Sequence, residues 1–314
     1  MDLKQLRYFI GICDAGSITR AAKVLHVAQP ALSNHISNLE AQLKVELLHR
    51  TSHGVIPTES GEILYASAHR VLREMSRIAD EVNALKNKPA GKVAIGVAAG
   101  ISNIFGMRFI KQMTKHYPDI SLAYSSGLSP DLYRKLLTGI LDIGMFYKEP
   151  EIGGVSSRKL LREELFVAMQ CSSDRPPCNE AISIAELRRL PFVFPRTDHF
   201  SMRSIVENVF SEAGFAPQIV AEVESFTTIK QLVADGFACT IAPWSSTYEE
   251  VEKKIIKLRP IEGISITRYL ELCMPLDRPL AISITVARQM TIKVIEDLIS
   301  TGQWPHVSLV ETGD

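Results

Sequence analysis

Between Leu64 and Leu85 the apolar residues recur with the spacing of a coiled coil. Leu64, Ala68, Val71, Met75, Ile78, Val82 and Leu85 follow one another at alternating intervals of four and three. Kept through three heptads, that repeat lays one narrow apolar stripe along an α-helix. Arg70, Arg73, Glu74, Arg77, Asp80 and Glu81 fill other positions. A core helix of the following domain would need a wider apolar face, so the stripe is expected to be a dimer seam. Thr58 is the expected N-cap, and from there to Lys86 the helix would run about 43 Å at 1.5 Å per residue. Asn87-Lys88-Pro89-Ala90-Gly91 then breaks it as a hinge. Whatever precedes and follows this rod must fold separately.

Upstream lie three short helical patterns. Leu3, Leu6, Ile10 and Cys13 share one helix face and stop at Ala15-Gly16. Ser17 is placed to cap a second helix, ITRAAKVL, in which Ala21 and Ala22 allow close approach by a neighbour. His26-Val27-Ala28 turns the chain, and Gln29-Pro30 opens a third helix, with proline suited to a first helical turn. Leu32, Ile36, Leu39 and Leu43 form its inner face. Pro30, Asn34, Ser37 and Asn38 lie opposite, with Ser33 on the flank. That outer face carries almost no charge. Short neutral hydrogen-bonding side chains stabilise a helix poorly but can read a surface laid against them. Two short helices joined by a tight turn are the sequence form of a helix-turn-helix. VELLHRTSHGVIPT (45–58), with Gly54 between β-like pieces, suits a hairpin or wing.

From Lys92 the rhythm becomes strand, helix, strand. Strands are expected at 93–97, 120–124 and 141–146, with helices at 102–116 and 129–138. A second block repeats the alternation: strands at 192–194, 219–224 and 238–242, helices at 201–213 and 226–235. Such blocks imply parallel βαβ units and two α/β lobes with a cleft between them.

Composition agrees with this division. The 314 residues are 46% hydrophobic, enough for more than one modest core. No run approaches about 18 apolar residues, so no membrane helix is expected, and MDLKQLRYFIGICDAG mixes acid, base and apolar residues; the expectation is a cytoplasmic protein. Five cysteines without a CxxC pair argue against a disulfide framework or zinc site. Cys171 and Cys178 flank a proline-containing loop and are expected to be two reduced thiols rather than a redox pair. Net charge is zero, which hides a slightly basic first segment: residues 1–57 hold six basic side chains against four acidic ones.

These residues together resemble the LysR-type transcriptional regulators. The resemblance rests on LKQLRYF (3–9), GSITRAAKVLHVAQPALSNHISNLEAQL (16–43), LLHRT (47–51), PTESG (57–61), LDIGM (141–145) and VADGFACTIAP (233–243), and covers essentially the full length. GVIPTESGEILY and ESFTTI are most similar to the nitrogen-assimilation-control subgroup. The resemblance implies an all-α winged helix-turn-helix plus a long linker helix, followed by an α/β regulatory domain of two lobes resembling type 2 periplasmic binding proteins. The boundaries expected are a DNA-binding domain at 1–58, a dimerising linker helix at 59–87 and a hinge at 88–91. The regulatory domain then spans 92–304, lobe I about 92–161 and 267–304 and lobe II about 162–266, with a C-terminal tail at 305–314. Homodimers that pair into homotetramers on double-stranded DNA are implied, with RNA polymerase as a candidate partner.

In that arrangement the third helix enters the major groove, where Gln29 can pair with adenine at two points. Gln29, Pro30, Ser33, Asn34 and Ser37 are the expected base-reading contacts. Asn34 departs from the family, in which arginine is common at this position. Ser17 and Thr19 can offer donors to phosphate, although a serine at Ser17 is needed as a cap in any case. Arg50, Thr51, Ser52 and His53 are the wing candidates. Ligands are expected between the lobes, near helix N-termini that follow parallel strands. The resemblance carries effector contacts onto Ser102, Ser129, Tyr147, Pro195, Arg196 and Thr227, a set suited to a small anionic metabolite; Ser102 and Ser129 can equally be plain helix caps.

A periplasmic-type small-molecule binding protein without a regulatory role would explain 92–300 but not the first 91 residues. An enzyme would need chemistry the sequence does not display: there is no GxSxG, HExxH, P-loop or GxGxxG, and the histidines form no ligand-spaced cluster. His116 and His199 read as surface or capping residues. No cofactor or metal is expected.

Overall fold

The computed structural model describes residues 1–52, 54–84, 89–147, 153–171, 180–196, 202–276 and 281–310. Its first unit comprises α1 (Leu3–Ala15), α2 (Ile18–Val24) and α3 (Gln29–Leu43), followed by a hairpin of β1 (Leu48–Thr51) and β2 (Gly54–Pro57). Asp2 and Gln5 cap the start of α1 reciprocally, and Gly16 ends it in the left-handed region that glycine tolerates. Phe9, Ile12, Ala21, Ala22, Leu32, Ile36 and Leu39 form one core with Leu47 and Leu48. Leu43 does not join it. At 38% exposure it lies on the last turn of α3, past the reach of α1 and α2, which corrects the expected four-residue inner face. Gly54 has φ +136, and a Cβ there would stand 2.2 Å from the Gly16 carbonyl oxygen. Only glycine lets the hairpin lie this close to the α1–α2 turn, where Val55 N donates to Gly16 O at 3.0 Å.

The rod is α4 (Glu59–Ala84), and Thr58 caps it, its hydroxyl accepting from Gly61 N at 3.0 Å. The seam is not uniform along it. Ala68 is 1% exposed and packs with Leu6 and Ile10 of α1, with Leu64 alongside. Those two positions are used within the chain to dock the rod on the first unit, a correction to their expected role between copies. Val71, Met75 and Ile78 are 43%, 49% and 49% exposed. The Val82 side chain and Leu85 fall outside the described residues, as do Asn87 and Lys88 of the expected hinge, while Gly91 already belongs to the first strand of the second unit.

The second unit begins with β3 (Gly91–Ala98), α5 (Ala99–His116), β4 (Ile120–Gly127), α6 (Ser129–Leu137) and β5 (Ile143–Phe146), with β3 parallel to both β4 and β5. These agree with the expected first block. The next strand, β6 (Val155–Gln170), is 16 residues long and was not anticipated. The second block then follows as α7 (Ile184–Leu187), β7 (Pro191–Pro195), α8 (Met202–Glu212), β8 (Gln218–Val223), α9 (Phe226–Asp235) and β9 (Thr240–Pro243). The chain closes with α10 (Trp244–Glu252), β10 (Ile256–Arg259), β11 (Ile266–Pro275), α11 (Ile282–Ser300) and β12 (Val307–Leu309).

β6 and β11 carry the chain between the lobes. β11 runs antiparallel to β6 from Ile266↔Leu165 to Pro275↔Val155 and also pairs with β5, which completes the first sheet. The far half of β6 pairs with β9 and β10 in the second lobe, and a bridge at Phe192↔Cys239 continues from β9 to the β7–β8 pair. The first lobe has a core around Phe105, Phe109, Phe146 and Trp304, and the second lobe packs one cluster around Phe192, Phe194 and Phe210 and another around Val193, Ile229 and Val233. Residues 307–309 of the expected C-terminal tail are ordered as β12 on β6, with Val307 opposite Glu163. Among the described residues no helix is long and apolar enough to cross a membrane.

Candidate functional site

Burying Leu32, Ile36 and Leu39 inward leaves the opposite side of α3 to solvent. Gln29, Pro30, Asn34 and Ser37 are exposed and Ser33 is half-buried. Gln29 Nε2 donates to Ser33 Oγ at 3.2 Å, so the two side chains one turn apart hold each other in line along that face. Ala28 precedes α3 without a side-chain cap, which leaves first-turn donors outward for an acceptor such as a phosphate oxygen. Ser17 Oγ accepts from Arg20 N at 3.4 Å, the capping contact that its sequence position allowed. Thr19 is exposed beside it. On the hairpin Arg50 pairs with Val55 and Thr51 with Gly54; Thr51 Oγ1 donates to Gly54 O at 3.1 Å. Arg50, Thr51 and Ser52 are exposed, and His53 falls outside the described residues.

Where α1 meets α4, Tyr65 OH donates to Asp14 Oδ1 at 2.5 Å and the His69 ring stands edge-on to the Tyr65 ring at 4.5 Å. Burial, with Asp14 adding to it, pushes the Cys13 thiol up to about 12. Burial lowers the His69 imidazole below its ordinary value against the opposing Asp14 charge, while Arg73 lowers it further.

The expected effector residues separate into three groups. Ser102, in the first turn of α5, shares a 3.0 Å hydrogen bond with Tyr124 OH. Ser129 Oγ accepts from Tyr147 N at 3.4 Å, which joins the start of α6 to the end of β5. On the other lobe Pro195 pairs with Val223, Arg196 N donates to Val223 O, and the exposed Arg196 guanidinium lies 4.0 Å from Glu224. Thr227 is exposed in the first turn of α9. Thr197 and His199 lie outside the described residues, as does Cys178.

A further centre was missed by sequence reading. Glu163, 1% exposed in the middle of β6, receives Tyr147 OH at 2.6 Å and Arg268 Nε and Nη2 at 3.0 and 2.8 Å on Oε2. Ser245 Oγ donates to its other oxygen. The Arg268 guanidinium carbon stands 3.5 Å from the centre of the Tyr147 ring. Burial pushes the Tyr147 phenol well above its usual value, against the Arg268 charge and with the Glu163 carboxylate adding to the rise, so the phenol remains a donor. The available signal was an acid inside an apolar stretch, REELFVAM (162–169). Among the described residues no group of three His, Cys, Asp or Glu side chains could hold a metal ion.

Two family models match the chain. Residues 3–62 match the family model of the bacterial regulatory helix-turn-helix proteins of the lysR family, and residues 86–291 match that of the LysR substrate binding domain. The nitrogen assimilation regulatory protein nac of Klebsiella aerogenes is 33% identical over 247 residues, covering 78% of this chain and 79% of that protein. The protein of the same name from Escherichia coli (strain K12) is 29% identical over 310 residues, 98% of this chain and all of the relative. Among solved structures, CbnR, a LysR family transcriptional regulator, superposes with a TM-score of 0.70 at 23% identity, covering 94% of this chain and 99% of its own. Full-length CbnR complexed with its target DNA gives 0.68, also at 23% identity, over 95% and 99%. At that identity the likeness shows the fold.

Proposed function

Because this chain belongs to the LysR family of bacterial regulatory helix-turn-helix proteins, we propose that α3 reads base edges in the major groove while α2 and the β1–β2 hairpin hold the flanking phosphates. The protein is a DNA-binding transcriptional regulator of the LysR type, similar to the nac regulators, and its relatives are regulators rather than enzymes. The observation that carries the reading is the outer face of α3: exposed, almost uncharged, with Gln29 and Ser33 aligned by their mutual hydrogen bond. Gln29, Pro30, Ser33, Asn34 and Ser37 read sequence. Ser17, Thr19, Arg50, Thr51, Ser52 and His53 position the backbone. The boundaries given above, 1–58, 59–87, 88–91, 92–304 and 305–314, are the working division, amended by the β12 strand within the last segment.

The working form is a homodimer paired through Val71, Met75, Ile78, Val82 and Leu85, assembling further into a tetramer. It acts in the cytoplasm, meets RNA polymerase at its promoters and answers a small anionic metabolite held by Ser102, Ser129, Pro195, Arg196 and Thr227, whereas the hydroxyl of Tyr147, expected among these contacts, is engaged by Glu163. The names of the nac relatives point to promoters of nitrogen assimilation. A stand-alone binding protein would leave residues 3–62 without a purpose.

The test is Gln29→Ala, with affinity measured on a cognate site and on random-sequence DNA. Loss of a bidentate base contact weakens cognate binding by about 1–3 kcal/mol and leaves random-sequence binding nearly unchanged. Equal losses on both would remove Gln29 from base reading.

A further inference from the structure

Anion sites in proteins are built from guanidinium, phenol and hydroxyl donors that converge from separate elements. Such a set exists at the crossing between the lobes, and a side chain of the protein already fills it. Tyr147 comes from the end of β5, Arg268 from β11 and Ser245 from the first turn of α10. All of them donate to the Glu163 carboxylate. We propose that Glu163 is a built-in anionic ligand, a tethered carboxylate that occupies the seat of a small carboxylate and fastens the second lobe to the first.

The strand pairing puts Glu163 where a fastening must act. On one side Glu163 lies opposite Arg268 in β11, and on the other opposite Val307 in β12; two residues later Leu165 lies opposite Pro243 of β9. Glu163 is therefore at the point where β6, within one continuous sheet, passes from its β12 pairing to its pairing with β9 and β10 of the second lobe. Ser245 is fully buried, and its neighbours already touch the first lobe: Trp244 packs on that core, and a Cβ added to Gly100 at the start of α5 would lie 3.4 Å from Ser246 Cβ. Thus α10 is the element that the carboxylate holds down. The Arg268 guanidinium is fixed over the Tyr147 ring, so both donors keep their aim if the carboxylate is removed. A cross-strand ion pair alone would explain Arg268. It would not explain a phenol and a serine hydroxyl from two other elements on the same carboxylate.

The inference rests on reading residues 92–304 as a two-lobed sensing domain. Glu163→Ala removes a fragment with the shape of acetate, so acetate is the probe. In the full-length variant, sodium acetate raises the melting temperature saturably by about 3 °C or more relative to sodium chloride at equal ionic strength, and the wild type shows no such difference. An equal response in both proteins, or none in the variant, overturns the proposal. Should Glu163→Ala not fold, Ser245→Ala deletes one donor and leaves the Arg268 and Tyr147 contacts. Backbone amides of α10 then exchange with deuterium at least about 10-fold faster than in the wild type, and unchanged exchange overturns the fastening. Footprinting of the wild type on promoter DNA is run alongside. Its failure would count against the regulator reading, whereas failure of the acetate and exchange arms counts against Glu163 alone.

Discussion

His69 sets how the joint between the DNA-binding unit and its rod responds to acid. Its Nε2 is buried without a hydrogen-bond partner among the described residues, and burial holds its imidazole below the ordinary value of 6.5. The unfolded chain therefore takes up a proton at this site at a higher pH than the folded chain does. Folding stability contributed here is complete above the unfolded value and falls as pH drops below about 6.5. Melting temperatures taken across about pH 5 to 7.5 should show a decline in the wild type that is shallower in His69→Gln; parallel curves would exclude this histidine as the source. At the same scale Glu163 is an opposite case, a buried acid with its lone pairs occupied by Tyr147, Arg268 and Ser245. Removing any one partner leaves the rest of a polar cluster under-satisfied, so single substitutions there should cost more than their count of bonds suggests.

Among the elements, α4 carries the clearest division of labour. Its first seam positions, Leu64 and Ala68, are occupied by α1, while Val71, Met75 and Ile78 remain outward. Ile78→Glu places a charge in the stripe without touching the α1 contact. Sedimentation should then show monomer at concentrations where the wild type is dimeric, with DNA affinity reduced about 10-fold or more because one half-site is lost; unchanged self-association would move the interface elsewhere. The long helix α4, the three short helices and both βαβ blocks are legible in the sequence because their apolar periods are local. What was not legible depends on partners distant in sequence. Whether Ala68 faces α1 or a second copy is decided by Leu6 and Ile10, more than fifty residues away. β6 is hidden because SSRKLLREEL lacks clean alternation, and its pairing with β9, β10, β11 and β12 is fixed by segments as far downstream as Leu309, 148 positions beyond its partner Leu161. The outer face of α3 was readable as a surface, whereas the Glu163 centre required three non-neighbouring donors to be brought together.

The whole molecule joins a reading head to a sensing domain by direct contact as well as through the chain. Arg73 on α4 donates to Asp142 Oδ1 at 2.6 Å and also to the Ile140 carbonyl, while the other Asp142 oxygen accepts from Ala94 N at 2.8 Å. Asp142 thus ties the rod to the edge between β3 and β5, two strands of the first lobe's sheet. The sheet of the first lobe is thus in contact with α4, which in turn packs on α1 through Leu64 and Ala68. In the proposed homodimer two copies of α3 face DNA. Selection of bound sequences from a random duplex pool is performed with the wild type and with Gln29→Ala. The wild type should enrich an interrupted palindrome whose half-sites are spaced by about one helical turn or a multiple of it, and the variant should lose preference at specific bases within each half-site. Recovery of no enriched sequence by the wild type, or of the same motif at the same strength by Gln29→Ala, would contradict that placement of α3.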